Sequence, residues 1–121
     1  MSMLEIVRGD VVYVDLSGAD GHEKQGVRPC VVVQNNGGNR VSPLTIVAPI
    51  TDERQYKRYP MQVPVSAADL GEGGKASVIE CGHLRTIDRD ARIDEGRGVW
   101  CRLSDDVMAR IDEALRVSLA I

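Results

Sequence analysis

Acidic, basic and amide side chains are concentrated in one short loop, Gly21 to Pro29, between two strand-like segments. Arg28 stands directly before Pro29, which fixes the backbone where an apolar run begins. A guanidinium held at a strand end presents a rigid fork of N–H donors, a geometry suited to a phosphate group. A surface arginine paired with a carboxylate is the alternative interpretation.

A second polar residue, Thr51, closes the segment Thr45 to Thr51 where it runs into a polar loop. A hydroxyl at such a strand end can face a cleft and donate to an anion. Threonine is common at strand ends, however, so the position alone is a weak indication of function.

Other sequence motifs give little evidence of a chemical function. The only histidines are His22 and His83, and Cys81 with His83 has no second ligand pair at metal-binding spacing. The chain has no P-loop, no GxGxxG, no GxSxG and no HExxH sequence. We therefore expect neither a metal site nor a nucleotide cofactor.

Charge and aromatic content limit the possible partners. The chain has 15 basic and 18 acidic residues, a formal charge of −3, so nucleic acid would need a local basic patch. Only Tyr56 to Tyr59 (Tyr-Lys-Arg-Tyr) interleaves basic and aromatic residues, and with Arg54 it could form that patch. A solvated loop is the alternative. Aromatic residues make up 3% of the chain, which argues against a platform of several stacked rings.

Several segments, in order and spacing, resemble the MazF/PemK toxin family. They are Gly9 to Leu16, Gly26-Val27-Arg28-Pro29 with the valines after it, Gln34 to Arg40, Ser42-Pro43, Ala48 to Thr51, Leu84 to Asp88 and Asp112 to Leu119. The combination of G-x-R-P with a later I-T is fairly specific in a chain of this length. The resemblance covers nearly all of residues 1–121, which we interpret as one domain.

The resemblance implies the toxin of a toxin–antitoxin system, a sequence-specific endoribonuclease that acts on single-stranded RNA without ribosome, metal or cofactor. The RNA's own 2′-hydroxyl would attack the phosphate, leaving a 2′,3′-cyclic phosphate and a 5′-hydroxyl. The implied partners are a second copy of the chain and a cognate MazE-like antitoxin.

The family's catalytic pair is the arginine of G-x-R-P and the threonine of I-T, which places these roles on Arg28 and Thr51, with Glu23 implicated in some members. Glu23 and His83 are both open as the general base, because arginine normally stays protonated. An ordinary surface or interface role for His83 is the alternative. The expected RNA-binding residues are Lys24, Gln25, Arg54, Tyr56, Lys57, Arg58, His83 and Arg85.

One segment departs from the family pattern. Members often carry Glu-Gln before the Ile-Arg-Thr segment, where this chain has Gly82 and His83 followed by Leu84. Base preference is therefore expected to differ.

Two other functions remain as alternatives. A non-enzymatic inhibitor resembling CcdB, which traps DNA gyrase, could use the same barrel but would have no use for Arg28 and Thr51. An SH3-like adaptor would need an aromatic peptide groove, against which the low aromatic content argues.

The elements that must position these residues read as a small, mostly antiparallel β-barrel, SH3-like or CcdB-like, with a C-terminal helix. The predicted strands are Gly9 to Leu16, the run through Val31 to Val33, Thr45 to Ile50, Met61 to Val65, Ala76 to Ile87 and Val99 to Leu103. Asn35 to Asn39 predicts a turn whose glycines tolerate positive φ, and Pro49 predicts an edge strand or a bulge. Ser66 to Gly74 predicts a turn or short helical loop.

The predicted helix starts behind Ser104 as N-cap, with Asp105 and Asp106 in its first turn. Its apolar face contains Val107, Ile111, Ala114, Leu115 and Leu119. We expect this helix and the Val31 to Val33 run to contribute to a dimer interface.

The three cysteines, Cys30, Cys81 and Cys101, have no CxxC spacing and are expected to be small buried side chains in a reducing compartment. Met1 to Glu5 is too short for the apolar core of a signal peptide, and no apolar run approaches the ~20 residues of a membrane span. The expectation is a soluble, cytoplasmic protein.

Overall fold

Seven strands form the framework of the computed structural model, which describes residues 4–121. The strands are β1 (Asp10–Asp15), β2 (Val27–Val32), β3 (Leu44–Asp52), β4 (Gln62–Val65), β5 (Ser77–Glu80), β6 (Arg85–Asp88) and β7 (Val99–Arg102). The helices are α1 (Asn36–Val41), α2 (Arg89–Arg92) and α3 (Asp105–Leu119), and short 3-10 turns occupy Glu53–Gln55 and Ala67–Leu70. A mostly antiparallel curled sheet with a C-terminal helix confirms the predicted fold class.

Strand β3 is the centre of the sheet. The strand order is β4-β5-β3-β2-β1-β7, and β6 also pairs with β3. One edge of β3 pairs with β6 over Leu44–Val47 and with β5 over Ile50–Asp52, while the other edge pairs with β2. β3 as a whole is therefore not an edge strand, but Pro49 itself lies at an unpaired stretch of its edge, as the prediction required. Pro49 lies between the β6 and β5 segments, where that edge of β3 has no partner to receive an N–H.

The strand predicted over Ala76 to Ile87 is in fact two strands, β5 and β6, joined by a turn. His83 donates its backbone N–H to the carbonyl oxygen of Glu80 across 3.1 Å, which closes the turn. A Cβ on Gly82 would lie 2.9 Å from Met61 Cγ, so a larger residue here would force the Met61 side chain to shift. An apolar run alone gives no sign of this break.

The segment after β2 is a helix rather than the predicted turn. Asn35 caps α1, its side chain accepting from Gly38 N across 2.8 Å. Gly37 and Gly38 are helical and do not have positive φ. A Cβ on Gly38 would lie 2.9 Å from Gln34 Nε2, so this glycine serves close approach instead.

The core lies on both faces of the sheet, and β2 runs between them. Cys30, Val31 and Val32 are fully buried, which confirms a strand covered on both sides. Val33 is also buried, so the Val31 to Val33 run has no surface left for a dimer interface, contrary to expectation.

Helix α3 packs on one face of the sheet through Val107, Ile111 and Ala114. Its N-cap is Ser104, as predicted, which accepts from Val107 N across 3.3 Å. Leu119, the last residue of the helix on its predicted apolar face, is 54% exposed and lies outside the core.

The cysteines are free thiols, two of them buried, Cys30 and Cys81, and the third, Cys101, half-buried. In the described chain, no helix is both long enough and apolar enough to cross a membrane. The single domain over residues 1–121 stays a prediction. Residues 1–3, which begin the Met1 to Glu5 segment, lie outside the described residues.

Candidate active site

Arg28 and Thr51 line the same cleft, of about 520 Å³, which we call the Arg28 cleft. Arg28 lies in β2 and Thr51 in β3, which pair antiparallel with Cys30 opposite Pro49. The pairing ends at Cys30 and Pro49, two residues from Arg28 along β2 and two residues from Thr51 along β3. The sheet therefore brings together two residues that are far apart in the sequence, with Gln25 and Arg54 on the same cleft wall.

The Arg28 guanidinium is held by the loop that precedes it. Its Nε donates to the carbonyl oxygen of Gln25 across 2.8 Å. Among the described residues Arg28 takes part in no ion pair, so the alternative of a carboxylate-paired surface arginine is wrong. The Nη groups thus remain available to an anion in the cleft.

The Thr51 side chain is tied to a buried carboxylate that sequence reasoning missed. Thr51 is 5% exposed, and its hydroxyl donates to Glu80 Oε2 across 3.4 Å. Glu80 ends β5 and is 4% exposed. A charged residue inside the apolar run after Ser77 was the available signal, because buried charge is rare without a specific partner.

Gln62, in β4, connects Glu80 to the neighbouring loop. Its Nε2 donates to both Glu80 oxygens, at 3.1 and 3.3 Å, and to the carbonyl oxygen of Gln55 at 3.0 Å. Its Oε1 accepts from the backbone N–H groups of Lys57 and Tyr59, at 2.8 and 3.4 Å. One buried amide therefore fixes the loop that carries the predicted basic and aromatic patch.

Glu23 does not line the Arg28 cleft. It lines a second cleft of about 470 Å³, the His83 cleft, together with Lys24, His83 and Arg85. Glu23 and His83 are both exposed there. Arg85 is half-buried, and its Nη1 donates to the carbonyl oxygen of Leu16 across 2.7 Å, so part of its fork is used within the fold.

A third cleft, of about 390 Å³, is lined by Lys57, Gln62 and Glu80 and shares Lys24 and His83 with the second. The two therefore meet at Lys24 and His83. Along the same loop, two further predicted contact residues are exposed outside the three clefts, Tyr56 and Arg58.

Arg54 is partly neutralised by its neighbour Asp52. The Asp52 carboxylate accepts from Arg54 N and Nε, at 2.9 and 3.0 Å, and from Lys75 Nζ at 3.3 Å. These hydrogen bonds, led by that from the Arg54 backbone, lower the pKa of Asp52 to about 2. The group keeps a net positive charge at the mouth of the Arg28 cleft, since two cations share one carboxylate.

Two aromatic rings also line the Arg28 cleft. Tyr13 and Trp100 stack with centroids 5.8 Å apart and planes at 27°, and the Arg97 guanidinium lies 4.5 Å above the Tyr13 ring. Trp100 Nε1 donates to the carbonyl oxygen of Glu72 across 2.9 Å. Composition alone did not reveal this pair, because it depends on β1 and β7 being neighbours.

In residues 4–121 the structure shows no group of three or more His, Cys, Asp or Glu side chains that could hold a metal ion. The groups on these walls offer hydrogen bonds, positive charge and ring stacking, and Glu23 and His83 add side chains that can exchange a proton.

A family model, a curated relative and solved structures all match nearly the whole of this chain. Residues 7–119 match the family described as PemK-like, MazF-like toxin of type II toxin-antitoxin system. The chain is 42% identical over 116 residues to the endoribonuclease EndoA of Bacillus subtilis, covering 96% of both chains. MazF from Deinococcus radiodurans is 26% identical with a TM-score of 0.78, covering 100% of both chains. MazE–MazF from the same organism is 27% identical with a TM-score of 0.72, covering 97% of both chains.

Proposed function

The chain belongs to the PemK-like, MazF-like family of type II toxins, and from this premise we propose that it is an endoribonuclease that cleaves single-stranded RNA. The relative EndoA, which matches over nearly the full length of both chains, is named an endoribonuclease. A gyrase inhibitor of the CcdB kind is not favoured, because the family match and the relative both point to MazF-like toxins.

The observation that carries the proposal is that Arg28, which has no acidic partner among the described residues, shares one cleft with Thr51. Arg28 would bind the non-bridging oxygens of the cut phosphate and stabilise the charge that develops on them. A bond would form between the 2′-oxygen and phosphorus as the bond to the 5′-oxygen breaks. A general base, Glu23 or His83, would take the 2′-hydroxyl proton, and its protonated form or water would return a proton to the 5′-oxygen, giving a 2′,3′-cyclic phosphate and a 5′-hydroxyl. Holding the reacting groups in line supplies much of the acceleration.

We propose that the RNA strand crosses from the Arg28 cleft to the His83 cleft. Nucleotides beside the cut would then meet Glu23 and His83, the two candidate bases, which share that second cleft. The proposed RNA-contacting side chains along this path are Lys24, Gln25, Arg54, Tyr56, Lys57, Arg58, His83 and Arg85. The 2′-hydroxyl requirement would exclude DNA as a substrate.

We further propose that the active form is a homodimer in the cytoplasm. Apolar side chains remain exposed on each protomer, at Val41, Leu44, Val117 and Ile121. Covering them in a symmetric interface would remove apolar surface from water. Sedimentation at micromolar concentration should give twice the mass of the chain. A monomer that cuts RNA at full rate would contradict the dimer proposal.

The antitoxin is proposed to be MazE-like, since a neighbouring solved structure is a MazE–MazF complex. An acidic, disordered segment of it would bind along the cationic clefts and exclude RNA. A competition titration tests this with RNA that carries a 2′-deoxy group at the cut site. Simultaneous binding of both ligands, with no mutual effect, would contradict a shared groove.

The function is tested by incubating the purified protein with unstructured RNA in excess EDTA and sequencing the fragment ends. Cleavage at a defined sequence, with 2′,3′-cyclic phosphate and 5′-hydroxyl ends, is the expected result. A matched oligonucleotide with 2′-deoxy at the cut site should remain intact. Cleavage that depends on a divalent metal, or an intact RNA, would overturn the proposal.

A further inference from the structure

Glu80 is a buried carboxylate without a basic partner. It is 4% exposed, and no lysine, arginine or histidine of the described chain forms an ion pair with it. Its hydrogen-bond donors are the neutral groups Gln62 Nε2 and Thr51 Oγ1. Burying a carboxylate is costly, and a well-packed apolar side chain is often no less stabilising. Stability alone therefore does not account for this residue.

The hydrogen-bonding capacity of the two groups determines the direction of their contact. A carboxylate has no proton to give, so the single hydroxyl proton of Thr51 goes to Glu80 Oε2. Only the lone pairs of Thr51 Oγ1 then remain for a ligand in the Arg28 cleft. Phosphate oxygens also offer only lone pairs, whereas the 2′-hydroxyl of RNA has a proton to donate.

Gln62 prevents Glu80 from turning away from Thr51. The amide of Gln62 has one possible orientation, because exchanging its oxygen and nitrogen would set oxygen against the Gln55 carbonyl and the Glu80 carboxylate. The same exchange would set the amide nitrogen against the N–H groups of Lys57 and Tyr59. Glu80 is thus held by a donor whose direction is fixed and which contacts both carboxylate oxygens, including Oε2, the oxygen that accepts from Thr51.

We propose that Glu80 is a positioning residue for RNA cleavage, holding the Thr51 hydroxyl with its lone pairs toward the cleft so that it accepts from the substrate 2′-hydroxyl. Arg28 then binds the phosphate while Thr51 aligns the nucleophile. This differs from the simpler expectation that Thr51 donates to the phosphate. It deepens the proposed function and rests on it.

The central test is Glu80→Gln, which keeps the shape but replaces one oxygen with an NH₂ group. With the new amide oxygen kept on Gln62 Nε2, its NH₂ donates to Thr51 and reverses the hydroxyl. We expect kcat to fall about tenfold or more, with KM for RNA nearly unchanged. This is the size of effect expected when the one hydrogen bond between Thr51 and the charged Glu80 carboxylate is misdirected. Single-turnover cleavage of a short RNA measures both.

Asp10→Asn is the matched control. Asp10 is 1% exposed and accepts from Arg102 Nε across 2.8 Å, in β1 and away from the three clefts. It also loses a buried carboxylate, so it should lower the melting temperature without lowering kcat for the folded fraction. An equal loss of kcat in both variants would reduce Glu80 to a structural role and overturn the inference.

A double-mutant cycle with Thr51→Val shows whether Glu80 acts through Thr51. Once the hydroxyl is absent, Glu80→Gln should cause little further loss of rate. The same loss in both backgrounds, or a Glu80→Gln variant with wild-type kcat, would overturn the inference. Should Glu80→Gln fold poorly, Glu80→Leu enters the same cycle and should also cost kcat only when Thr51 is present.

The two proposals fail in distinguishable ways. A wild-type protein that leaves RNA intact overturns the nuclease and this inference with it. In the other case, the wild type cleaves RNA, Arg28→Ala abolishes cleavage and Glu80→Gln keeps the wild-type rate. The nuclease proposal then stands, and only the role of Glu80 is overturned.

Discussion

Arg28 donates its Nε hydrogen to the carbonyl oxygen of Gln25 across 2.8 Å, so the loop before β2 fixes the guanidinium it presents to the cleft. The contact uses only Nε, so all four N–H groups on the two Nη atoms stay available for a bidentate grip on phosphate. The backbone of the loop and the Arg28 side chain are thereby ordered together in the protein without a ligand.

Arg28→Ala should reduce cleavage at least ~100-fold, because a preorganised cation at the reacting phosphate is typically worth about 3 kcal/mol. Arg28→Lys should recover only part of the activity, since an ammonium lacks the planar fork. The comparison is with Arg116→Ala, an equal charge change on α3 at an exposed ion pair with Glu113. Near-normal cleavage by Arg28→Ala, in a folded protein, would contradict the site assignment.

Trp100→Leu should raise KM for RNA about tenfold while changing kcat less, because base stacking on an aromatic ring contributes ~1–3 kcal/mol per base. Trp100 lines the Arg28 cleft beside Tyr13, where an unpaired base could stack. Trp100→Phe retains a ring and loses only the hydrogen bond to Glu72, so it should stay close to wild type. A Phe variant as weak as the Leu variant would show that the hydrogen bond matters rather than stacking.

Asp52 makes the free energy of unfolding depend on pH, with a sign that its pKa determines. Hydrogen bonds from Arg54 and Lys75 lower its pKa from 3.8 to about 2 in the folded protein. Its contribution to stability is therefore complete above pH 3.8 and is lost as the pH falls toward 2. Urea denaturation of wild type and Asp52→Asn should show a stability difference that shrinks across this window. A difference that stays constant with pH would mean that the carboxylate charge is not involved.

The thiols should differ in reactivity. Burial raises the pKa of Cys30 and of Cys81 to about 12, and it also raises the pKa of the half-buried Cys101. Because the thiolate is the reactive form, alkylation at pH 8 should be slow at Cys101 and slower still at the other two until the protein unfolds. Mass spectrometry of the alkylated protein gives the order. Rapid labelling of Cys30 in the native protein would contradict its burial.

Strand-level features could be predicted where local pattern and tertiary environment agree. The strand predicted over Gly9 to Leu16, the apolar run of β2 and the Ser104 cap of α3 all follow from local signals and match the structure, although Val11 and Val12 are both buried. The Asn35 to Asn39 segment misled because its glycines suggested positive φ, whereas the Asn35 cap and the Gln34 side chain favour a helix.

The candidate site could be predicted only in part, because some of its residues are brought together by strand pairing rather than by local motifs. Arg28 and Thr51 were found from a resemblance in local motifs, and the structure brings them into one cleft. Glu80 and Gln62 escaped notice because their importance arises from strand pairing, which places one beside the other across β4 and β5. The separation of Glu23 from Arg28 into different clefts likewise depends on the loop's path, which sequence does not specify.

The pairing of β1 with β7 determines when the sheet can be completed during synthesis of the chain. Asp10 is opposite Arg102, so an early segment of the chain waits for a late one before the sheet is complete. Trp100, a wall of the Arg28 cleft, is supplied by that late strand. Non-local closure of this kind slows folding. A growing chain that has not yet released β7 therefore lacks the finished cleft.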